Sequence, residues 1–267
     1  MKYAPTVLIT GAASGLGRAL AEQAAAAGYR VAVADIHQTR GEETCRGLIQ
    51  LGAETFFVEC DVRREADLRR TVERVVRRWH QLDVMINNAG VASAGLFEAI
   101  PQEDWDWLFD INVMGTVRGC RAAVSAMKRQ HQGHIVNIAG SGALAPRPAL
   151  SAWNAAQAAI VNLTESLRSE LQPEGIQMTV ACPDYFRTHL NESLRAPDPV
   201  SSVRFERLLD SRELNANRVA KAIMRAVERN QPRVTPGSEA RRAGRQNRWM
   251  PQRFQRHMAE LATRLRR

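Results

Sequence analysis

The chain has 267 residues, of which 45% are hydrophobic and 24% are charged. This is a globular composition, and an α/β chain of this length is commonly one domain. Cysteine spacing shows no C-x-x-C or Cys/His ligand pattern, which argues against a zinc site or a disulfide framework and predicts buried or incidental thiols at Cys45, Cys60, Cys120 and Cys182. No run of 18 uncharged apolar residues occurs, and MKYAPTVLIT leads directly into a strand, so we expect a cytoplasmic protein.

The positive charge is concentrated at one end of the chain. The formal net charge is +9, and residues 233–267 hold ten Arg against Glu239 and Glu260, which gives +8 and leaves +1 for the rest. The high isoelectric point therefore belongs to the C-terminal segment and says little about the fold of the main body.

Short apolar runs rich in β-branched residues alternate with longer segments of helical period, which is typical of a parallel sheet covered on both faces. The predicted strands are 6–10, 31–35, 55–59, 83–87, 134–139, 177–181 and 233–235. The predicted helices are 15–27, 39–51, 65–79, 103–130 and 151–171. Glycine is common where helices stop, and it stands at such places at Gly28, Gly52 and Gly133. The pattern predicts an α/β fold with a doubly wound parallel sheet.

A glycine-rich turn follows the first predicted strand, from Thr10 and Gly11 through Ser14, Gly15 and Leu16 to Gly17. Glycines let the backbone turn tightly and approach a pyrophosphate, whose charge the free N–H groups of a helix N-terminus favour. Glycine can also serve a purely steric purpose in such turns, so the motif needs support from its neighbours.

Asp35 supplies that support at the end of the second predicted strand. Its carboxylate can accept hydrogen bonds from both hydroxyls of an adenosine ribose and repel a 2′-phosphate; the alternative is a solvated Asp at a strand end. We therefore predict that NAD (NADH) is bound in preference to NADP, although Arg40 lies near enough to weaken that preference.

From about Thr6 to about Thr188 the chain resembles the short-chain dehydrogenase/reductase family, which has a Rossmann-type fold. Asp61, in the run before Val62, resembles the family residue that contacts adenine, and Asn87-Asn88-Ala89-Gly90 resembles the family's N-N-A-G turn. Thr188, after Pro183, matches the Thr that holds the nicotinamide carboxamide. The resemblance implies a cofactor-binding set of Thr10, Gly11, Ser14, Gly15, Leu16, Gly17, Asp35, Asp61, Val62, Asn88, Ala89, Gly90, Gln157, Pro183 and Thr188.

The same resemblance indicates that the family's proton-transfer residues are replaced. The family has Tyr and Lys where this chain has Trp153 and Gln157, and strict counting puts its Ser at Gly140, with Ser141 adjacent. An indole N–H donates but does not ionise usefully, and a Gln amide carries no charge, although Gln157 can still hydrogen-bond a ribose. Asn112 matches the family Asn whose backbone organises a water chain, or it relieves a helix bend.

The loop after the sixth predicted strand carries Asp184, Tyr185 and His189, which are residue types used in acid–base catalysis. One hypothesis is that Tyr185 has become the proton donor; the alternative is a polar lid with solvated side chains. We name Asn112, Ser141, Trp153, Gln157 and Tyr185 as the candidate catalytic residues. The stretch 195–202 is a predicted loop that interrupts a mobile substrate lid.

The C-terminal segment predicts a basic amphipathic helix beginning at Pro251, with Phe254, Met258, Leu261 and Leu265 on one stripe. We divide the chain into a dinucleotide-binding domain, 1–240, and an extension, 241–267. The stripe docks on its own domain or a partner subunit, or the helix rests on an anionic membrane surface as a peripheral contact. No nucleic-acid binding is predicted. The family resemblance implies a homo-oligomer, either a dimer or a tetramer.

The leading interpretation is an NAD(H)-binding oxidoreductase of atypical mechanism that acts on an unidentified small molecule, for which a hydrophobic substrate is one option. Ordinary carbonyl reductase or alcohol dehydrogenase activity is expected to be absent or very low. Two alternatives stay open: a non-catalytic NAD-binding scaffold, and a non-redox isomerase, lyase or hydrolase that uses the same pocket.

Overall fold

The computed structural model describes residues 4–210 and 214–266. Seven strands form one parallel sheet in the order β3-β2-β1-β4-β5-β6-β7. The strands are β1 Thr6–Thr10, β2 Arg30–Asp35, β3 Thr55–Glu59, β4 Val84–Asn87, β5 Gly133–Ile138, β6 Ile176–Ala181 and β7 Arg233–Val234. The order reverses between β1 and β4, where a doubly wound sheet opens a crevice at its carboxyl edge. The predicted fold class is confirmed.

Helices cover both faces of this sheet. They are α1 Gly15–Ala26, α2 Gln38–Gln50, α3 Glu65–Trp79, α4 Gln102–Phe109, α5 Gly115–Gln130, α6 Ser151–Leu171, α7 Pro199–Asp210, α8 Ala216–Glu228, α9 Ser238–Trp249 and α10 Pro251–Leu265. Side chains alternate between faces along a strand, so Val7 and Ile9 of β1 pack in one core with α1 and α8. Leu8 packs in the other core with α3 and α5.

Two details of the predicted helices were wrong. The single helix predicted over 103–130 is interrupted, because Asp110–Met114 forms one wider π-helical turn between α4 and α5. Gly133 does not stop α5; His131 takes the left-handed conformation there, with φ of 53°, and Gly133 begins β5. Gly28 and Gly52 do follow their helices with φ of 82° each, which is the geometry expected of a helix end.

Three helices, α7, α8 and α9, were not predicted. The segment 195–202 was expected to be a loop, but α7 begins inside it at Pro199, a residue that suits the first turn of a helix. The start of α8 carries a clear signal, since the side chain of Asn215 accepts a hydrogen bond from the N–H of Arg218 at 2.9 Å.

The same chain covers the apolar stripe of α10 in part, and α10 contacts α9. Phe254 is only 2% exposed, and the other three residues of the stripe are half-buried. Arg204 of α7 donates to the carbonyl oxygen of Leu265 at 2.5 Å, and Arg266 pairs with Glu98 at 2.8 Å. Of the alternatives for the stripe, the structure therefore favours docking on its own domain. None of the helices in the described ranges is both long and apolar enough to cross a membrane.

The four cysteines are free and buried, as predicted. Burial raises the pKa of Cys60 to about 11 and the pKa values of Cys120 and Cys182 to about 12, so these thiols stay protonated near neutral pH. Across residues 4–210 and 214–266, no cluster of three His, Cys, Asp or Glu side chains could hold a metal ion.

Candidate active site

A cleft of about 500 Å³ opens at the carboxyl edge of the sheet, where β1 and β4 lie side by side. Its walls come from the turn after β1, the ends of β2, β4 and β5, the helix α6 and the loop after β6. The predicted site residues that line it are Gly11, Ser14, Gly15, Leu16, Asp35, Asp61, Val62, Asn88, Ala89, Gly90, Asn112, Ser141, Trp153, Gln157, Pro183, Tyr185 and Thr188. Thr10 and Gly17 are not among the lining residues.

The turn after β1 needs its glycines for steric reasons. Gly11 has a φ of 63°, a left-handed conformation that favours glycine. A β-carbon at residue 17 would lie 2.0 Å from the carbonyl oxygen of Gly11. The first turn of α1 therefore packs directly on the loop that leads into it. Gly11 and Gly15 line this wall of the cleft without side chains.

Thr10 and Asn88 fix the floor of the cleft by joining the ends of β1 and β4. The Thr10 hydroxyl oxygen accepts from the N–H groups of Asn88 and Ala89 at 3.0 and 3.1 Å. The Asn88 side-chain amide donates to the carbonyl oxygens of Thr10 and Gly11 at 2.9 and 3.1 Å. These bonds explain the position of Thr10 beneath the cleft and the need for Asn at residue 88.

Asp35 is 8% exposed and holds backbone groups on both sides of the cleft's entrance. One carboxylate oxygen accepts from the N–H of Ala13 at 2.9 Å, and the other accepts from the N–H of His37 at 3.0 Å. The His37 ring nitrogen Nδ1 lies 3.2 Å from the same second oxygen. The oxygen hydrogen-bonded to Ala13 has a further lone pair, so the group can still accept a hydrogen bond from a ligand.

Asp61 is already engaged by a neighbour. Arg63 contacts both of its carboxylate oxygens, the shortest distance being 2.7 Å. That guanidinium holds the pKa of Asp61 below its ordinary value, so the residue is ionised throughout the neutral range. A ligand that donates to Asp61 must share it with Arg63.

Asn112 lies in the π-helical turn, and its side chain is fully used. Its amide oxygen accepts from the N–H of Val91, and its amide nitrogen donates to the carbonyl oxygen of Val91, both at 2.9 Å. The hydroxyl of Thr116 donates to the backbone carbonyl oxygen of Asn112 at 2.7 Å. Asn112 therefore ties the segment after β4 to this helix, and single-turn π-bulges of this kind are frequent at functional sites.

Two buried polar atoms face the opposite end of the cleft. The hydroxyl oxygen of Ser141 and the amide oxygen Oε1 of Gln157 have no hydrogen-bond partner among the described residues, although the two residues are only 4% and 6% exposed. A buried polar atom without a partner carries a desolvation cost, and both atoms belong to cleft-lining residues. A ligand that donates hydrogen bonds here would remove that cost.

Three aromatic side chains, Trp153, Tyr185 and Phe205, form a cluster beside these atoms. The indole of Trp153 lies 5.6 Å from the ring of Tyr185 and 5.6 Å from the ring of Phe205, measured between centroids. Phe205 comes from α7, so Trp153 connects α6 to the helix that covers this end of the cleft. The Arg147 guanidinium lies 6.0 Å from the centroid of Tyr185.

The loop after β6 has a structural task that the sequence did not reveal. Asp184 is 8% exposed, and its carboxylate accepts from the N–H of Tyr185 at 2.9 Å and from the N–H of Ala240 at 3.2 Å. Ala240 lies in the first turn of α9, so Asp184 caps that helix. The Thr188 hydroxyl accepts from the N–H of Leu190 at 3.0 Å and caps the short helical turn His189–Ser193.

A family model described as short chain dehydrogenase matches residues 5–199. The chain belongs to the short-chain dehydrogenase family of oxidoreductases. A "CLA biosynthesis dehydrogenase/reductase" of Lactiplantibacillus plantarum is 33% identical over 187 residues, which cover 69% of this chain and 65% of that protein. An "Uncharacterized oxidoreductase" of Thermotoga maritima is 35% identical over 177 residues, covering 66% of this chain and 70% of that protein. The chain thus matches slightly less than two thirds of the length of the Lactiplantibacillus protein.

Solved members of the family share the whole fold. A short-chain dehydrogenase/reductase of Burkholderia phymatum in complex with NAD superposes with a TM-score of 0.88 at 27% identity, covering 92% of this chain and 93% of that one. A 3-ketoacyl-(acyl-carrier-protein) reductase of Brucella melitensis complexed with NADH gives a TM-score of 0.75 at 25% identity, covering 88% of this chain and 98% of that one.

Ile36 and Glu192 line the cleft but were not predicted as site residues from this sequence. Ile36, which follows Asp35, is 57% exposed and lines the cleft beside His37; its place after the strand-end Asp was a usable signal. Arg40 of α2 pairs with Glu192, 152 residues later in the chain, at 2.6 Å. Nothing in the local pattern around either residue indicates that contact.

Proposed function

We propose that this short-chain dehydrogenase binds NAD(H) in the cleft through the backbone of the turn after β1. Gly11 and Gly15 support this proposal most directly, because both line the cleft beside the N-terminus of α1 in left-handed conformations and neither places a side chain there. Free N–H groups at such a helix start favour a pyrophosphate. The relative from Burkholderia phymatum was solved with NAD.

The adenosine end of the cleft supports NADH in preference to NADPH. Asp35 presents a carboxylate where the ribose hydroxyls would lie, and a 2′-phosphate would meet that charge at close range. The exposed apolar side chain of Ile36 offers a surface for an adenine ring. Asp61 would accept a hydrogen bond from the adenine amino group while remaining paired with Arg63.

At the other end, the residues that would hold a nicotinamide riboside fit as neutral groups. The free Oε1 atom of Gln157 can accept from a ribose hydroxyl, and the hydroxyl of Ser141 can donate to or accept from the same ligand. Thr188 retains its hydroxyl proton for a carboxamide oxygen, since it uses only an oxygen lone pair in its helix cap. We therefore propose that the predicted cofactor-binding residues make these contacts with NAD(H).

We further propose that the family's proton relay is missing. The bound dinucleotide supplies a hydride, but reduction of a ketone also needs a proton at the developing alkoxide. Gly140, Trp153 and Gln157 stand at the positions where the family carries Ser, Tyr and Lys, and none of the three ionises usefully. Unless Tyr185 supplies the proton, the chemistry left to this chain is hydride transfer to a substrate that is already activated, such as an iminium ion.

A second candidate is a non-catalytic NAD-binding scaffold. The contacts of Trp153 with Tyr185 and Phe205 favour it, since these rings take up space beside the proposed nicotinamide site. The two candidates make the same demand on the cofactor site and differ in whether bound NADH is ever oxidised. Assembly into a homo-oligomer stays a prediction from the family.

The first experiment is titration of the purified protein with NADH and with NADPH, followed by intrinsic Trp fluorescence. We expect NADH to bind at least about fivefold more tightly than NADPH, because at close range a carboxylate and a phosphate repel by about 1 kcal/mol or more. The Asp35→Asn variant should lose most of this preference. Equal affinities in the unmodified protein would contradict the assignment of Asp35, and oxidation of bound NADH by an iminium substrate would separate the enzyme from the scaffold.

A further inference from the structure

We propose that Glu192 sets the cofactor preference of this protein by neutralising Arg40. The inference builds on the proposed binding of NAD(H) and adds a residue from the loop after β6 that selects against the 2′-phosphate of NADPH. Without Glu192, Arg40 would be a cation at the adenosine end of the cleft that could bind a 2′-phosphate. The ion pair with Glu192 neutralises that cation.

The pair is a direct contact between two walls of the cleft. Arg40 lies near the start of α2, and its Nη1 atom donates to Oε2 of Glu192 at 2.6 Å. Both residues line the cleft, with side chains that are 45% and 46% exposed. The ion pair is therefore accessible both to solvent and to a ligand bound in the cleft.

The charges around the pair show what each partner does to the other. The pKa of Arg40 is raised chiefly by its hydrogen bond to Glu192, and Asp35 also contributes through its charge. The pKa of Glu192 is lowered chiefly by its hydrogen bond to Arg40, with smaller contributions from His189 and His37. Arg40 thus interacts with the charges of both Asp35 and Glu192, and of these two carboxylates Glu192 is the one that accepts its hydrogen bond.

The loop that carries Glu192 lies against the glycine-rich turn. A β-carbon on Gly15 would lie 3.6 Å from both the backbone nitrogen of His189 and the β-carbon of Thr188. The helical turn His189–Ser193 therefore passes over the start of α1, and Glu192 reaches α2 from above the proposed pyrophosphate site. The ion pair therefore joins the loop after β6 to the start of α2, at the end of the cleft that carries Asp35.

A formal charge count gives the consequence for selection. Asp35, Glu192 and Arg40 together carry −1, which disfavours the two negative charges of a 2′-phosphate. Removing the charge of Glu192 brings the sum to zero and frees a guanidinium, a preferred partner of phosphate groups. Removing the charge of Arg40 brings the sum to −2. The affinity for NADPH should follow the order Glu192→Gln, then the unmodified protein, then Arg40→Gln.

The test compares the ratio of NADH to NADPH affinity among these proteins by fluorescence titration at fixed ionic strength. Glu192→Gln keeps an acceptor for Arg40 while it removes the charge. We expect it to raise NADPH affinity about three- to tenfold and to change NADH affinity less, since exposed charges interact weakly in water. The double variant Glu192→Gln/Arg40→Gln should show no gain. A charge swap, Arg40→Glu/Glu192→Arg, keeps the pair and its zero sum, so its ratio should stay near the original.

The matched control is Glu174→Gln. Lys128 and Glu174 form an exposed pair at 2.8 Å, with side chains 45% and 40% exposed, and neither residue lines the cleft. This variant should leave the ratio unchanged. An unchanged ratio in Glu192→Gln, while the unmodified protein binds NADH, would overturn the inference and leave the proposed function intact. Failure of the unmodified protein to bind either dinucleotide would overturn both.

Discussion

The two ends of the cleft are built in different ways. At the end formed by β1, β2 and β4, backbone groups are tied by Thr10, Asp35 and Asn88, and glycines bring the chain into close contact. At the end formed by α6 and α7, polar atoms of Ser141 and Gln157 lack described partners and lie beside an aromatic group. The first end is fixed by hydrogen bonds within the protein, whereas the second keeps buried polar atoms that no described residue satisfies.

The largest expected effect comes from restoring the second end. The triple variant Gly140→Ser, Trp153→Tyr, Gln157→Lys should create or raise reduction of simple ketones, by up to about 10²–10⁴-fold, the usual contribution of a positioned acid. A β-carbon at residue 140 would have its nearest neighbour at 3.7 Å, an ordinary van der Waals contact, so the backbone there accepts a side chain. NADH oxidation followed by absorbance measures the rate.

Gly140→Ser alone is the control, and it should change little, because residues of one catalytic unit do not act additively. Reduction of simple ketones by the unmodified protein at about 1–10³ per second, an ordinary enzyme rate, would show that the proton comes from elsewhere. The two ends would then be equally functional.

The next effect breaks the first end. Gly17→Ala should lower the free energy of unfolding by about 1–3 kcal/mol and weaken NADH binding, since the added methyl group overpacks against the carbonyl of Gly11. Chemical denaturation and fluorescence titration measure the two quantities. Gly47→Ala in α2 is the matched control: no atom lies within 4 Å of its added carbon, and it should stabilise the protein by about 0.5–1 kcal/mol. Equal behaviour of the two variants would remove the steric basis for the cofactor site.

The smallest effect concerns the loop after β6. If any substrate turns over, Tyr185→Phe should reduce the rate by about tenfold, the low end for a positioned acid. Asp184→Asn should instead lower the free energy of unfolding by about 1 kcal/mol through its weaker cap on α9. Steady-state kinetics and thermal unfolding distinguish these roles. An unchanged rate in both variants would exclude Tyr185 and Asp184 as the proton donor and favour hydride transfer to an activated substrate.

The sequence was sufficient for the parts of the fold that local pattern determines. The predicted strand 6–10 and the helix 151–171 agree with β1 and α6 to the residue, because their apolar periodicity is unbroken. Helix α8 was missed although Asn215 and the spacing of Val219, Ile223 and Val227 marked it. Helix α9 offered less, since Ala240 is its one residue buried within the described chain.

The candidate site divides in the same way. The glycine-rich turn and Asp35 were predictable because a backbone turn and a strand end are local features. The partners of Asp184 and Arg40 were not, since each contact joins residues far apart in sequence, 56 and 152 positions respectively. Such contacts depend on where the fold places α9 and the helical turn after β6 relative to the sheet. The local sequence pattern gives no information on that placement.

The hydrogen bonds between Thr10 and Asn88 have a consequence for the thermodynamics of binding. They fix the floor of the cleft while the sheet forms, so its conformational entropy is lost in folding and not when a ligand arrives. Preorganisation of this kind lets more of the contact energy appear as affinity. The loop after β6 is held to α2 by an exposed ion pair, so the entropy left to lose on binding is concentrated there. The cleft thus has a rigid half and a more adaptable half. We expect the rigid half to determine which ligand binds and the adaptable half to determine the rate at which that ligand dissociates.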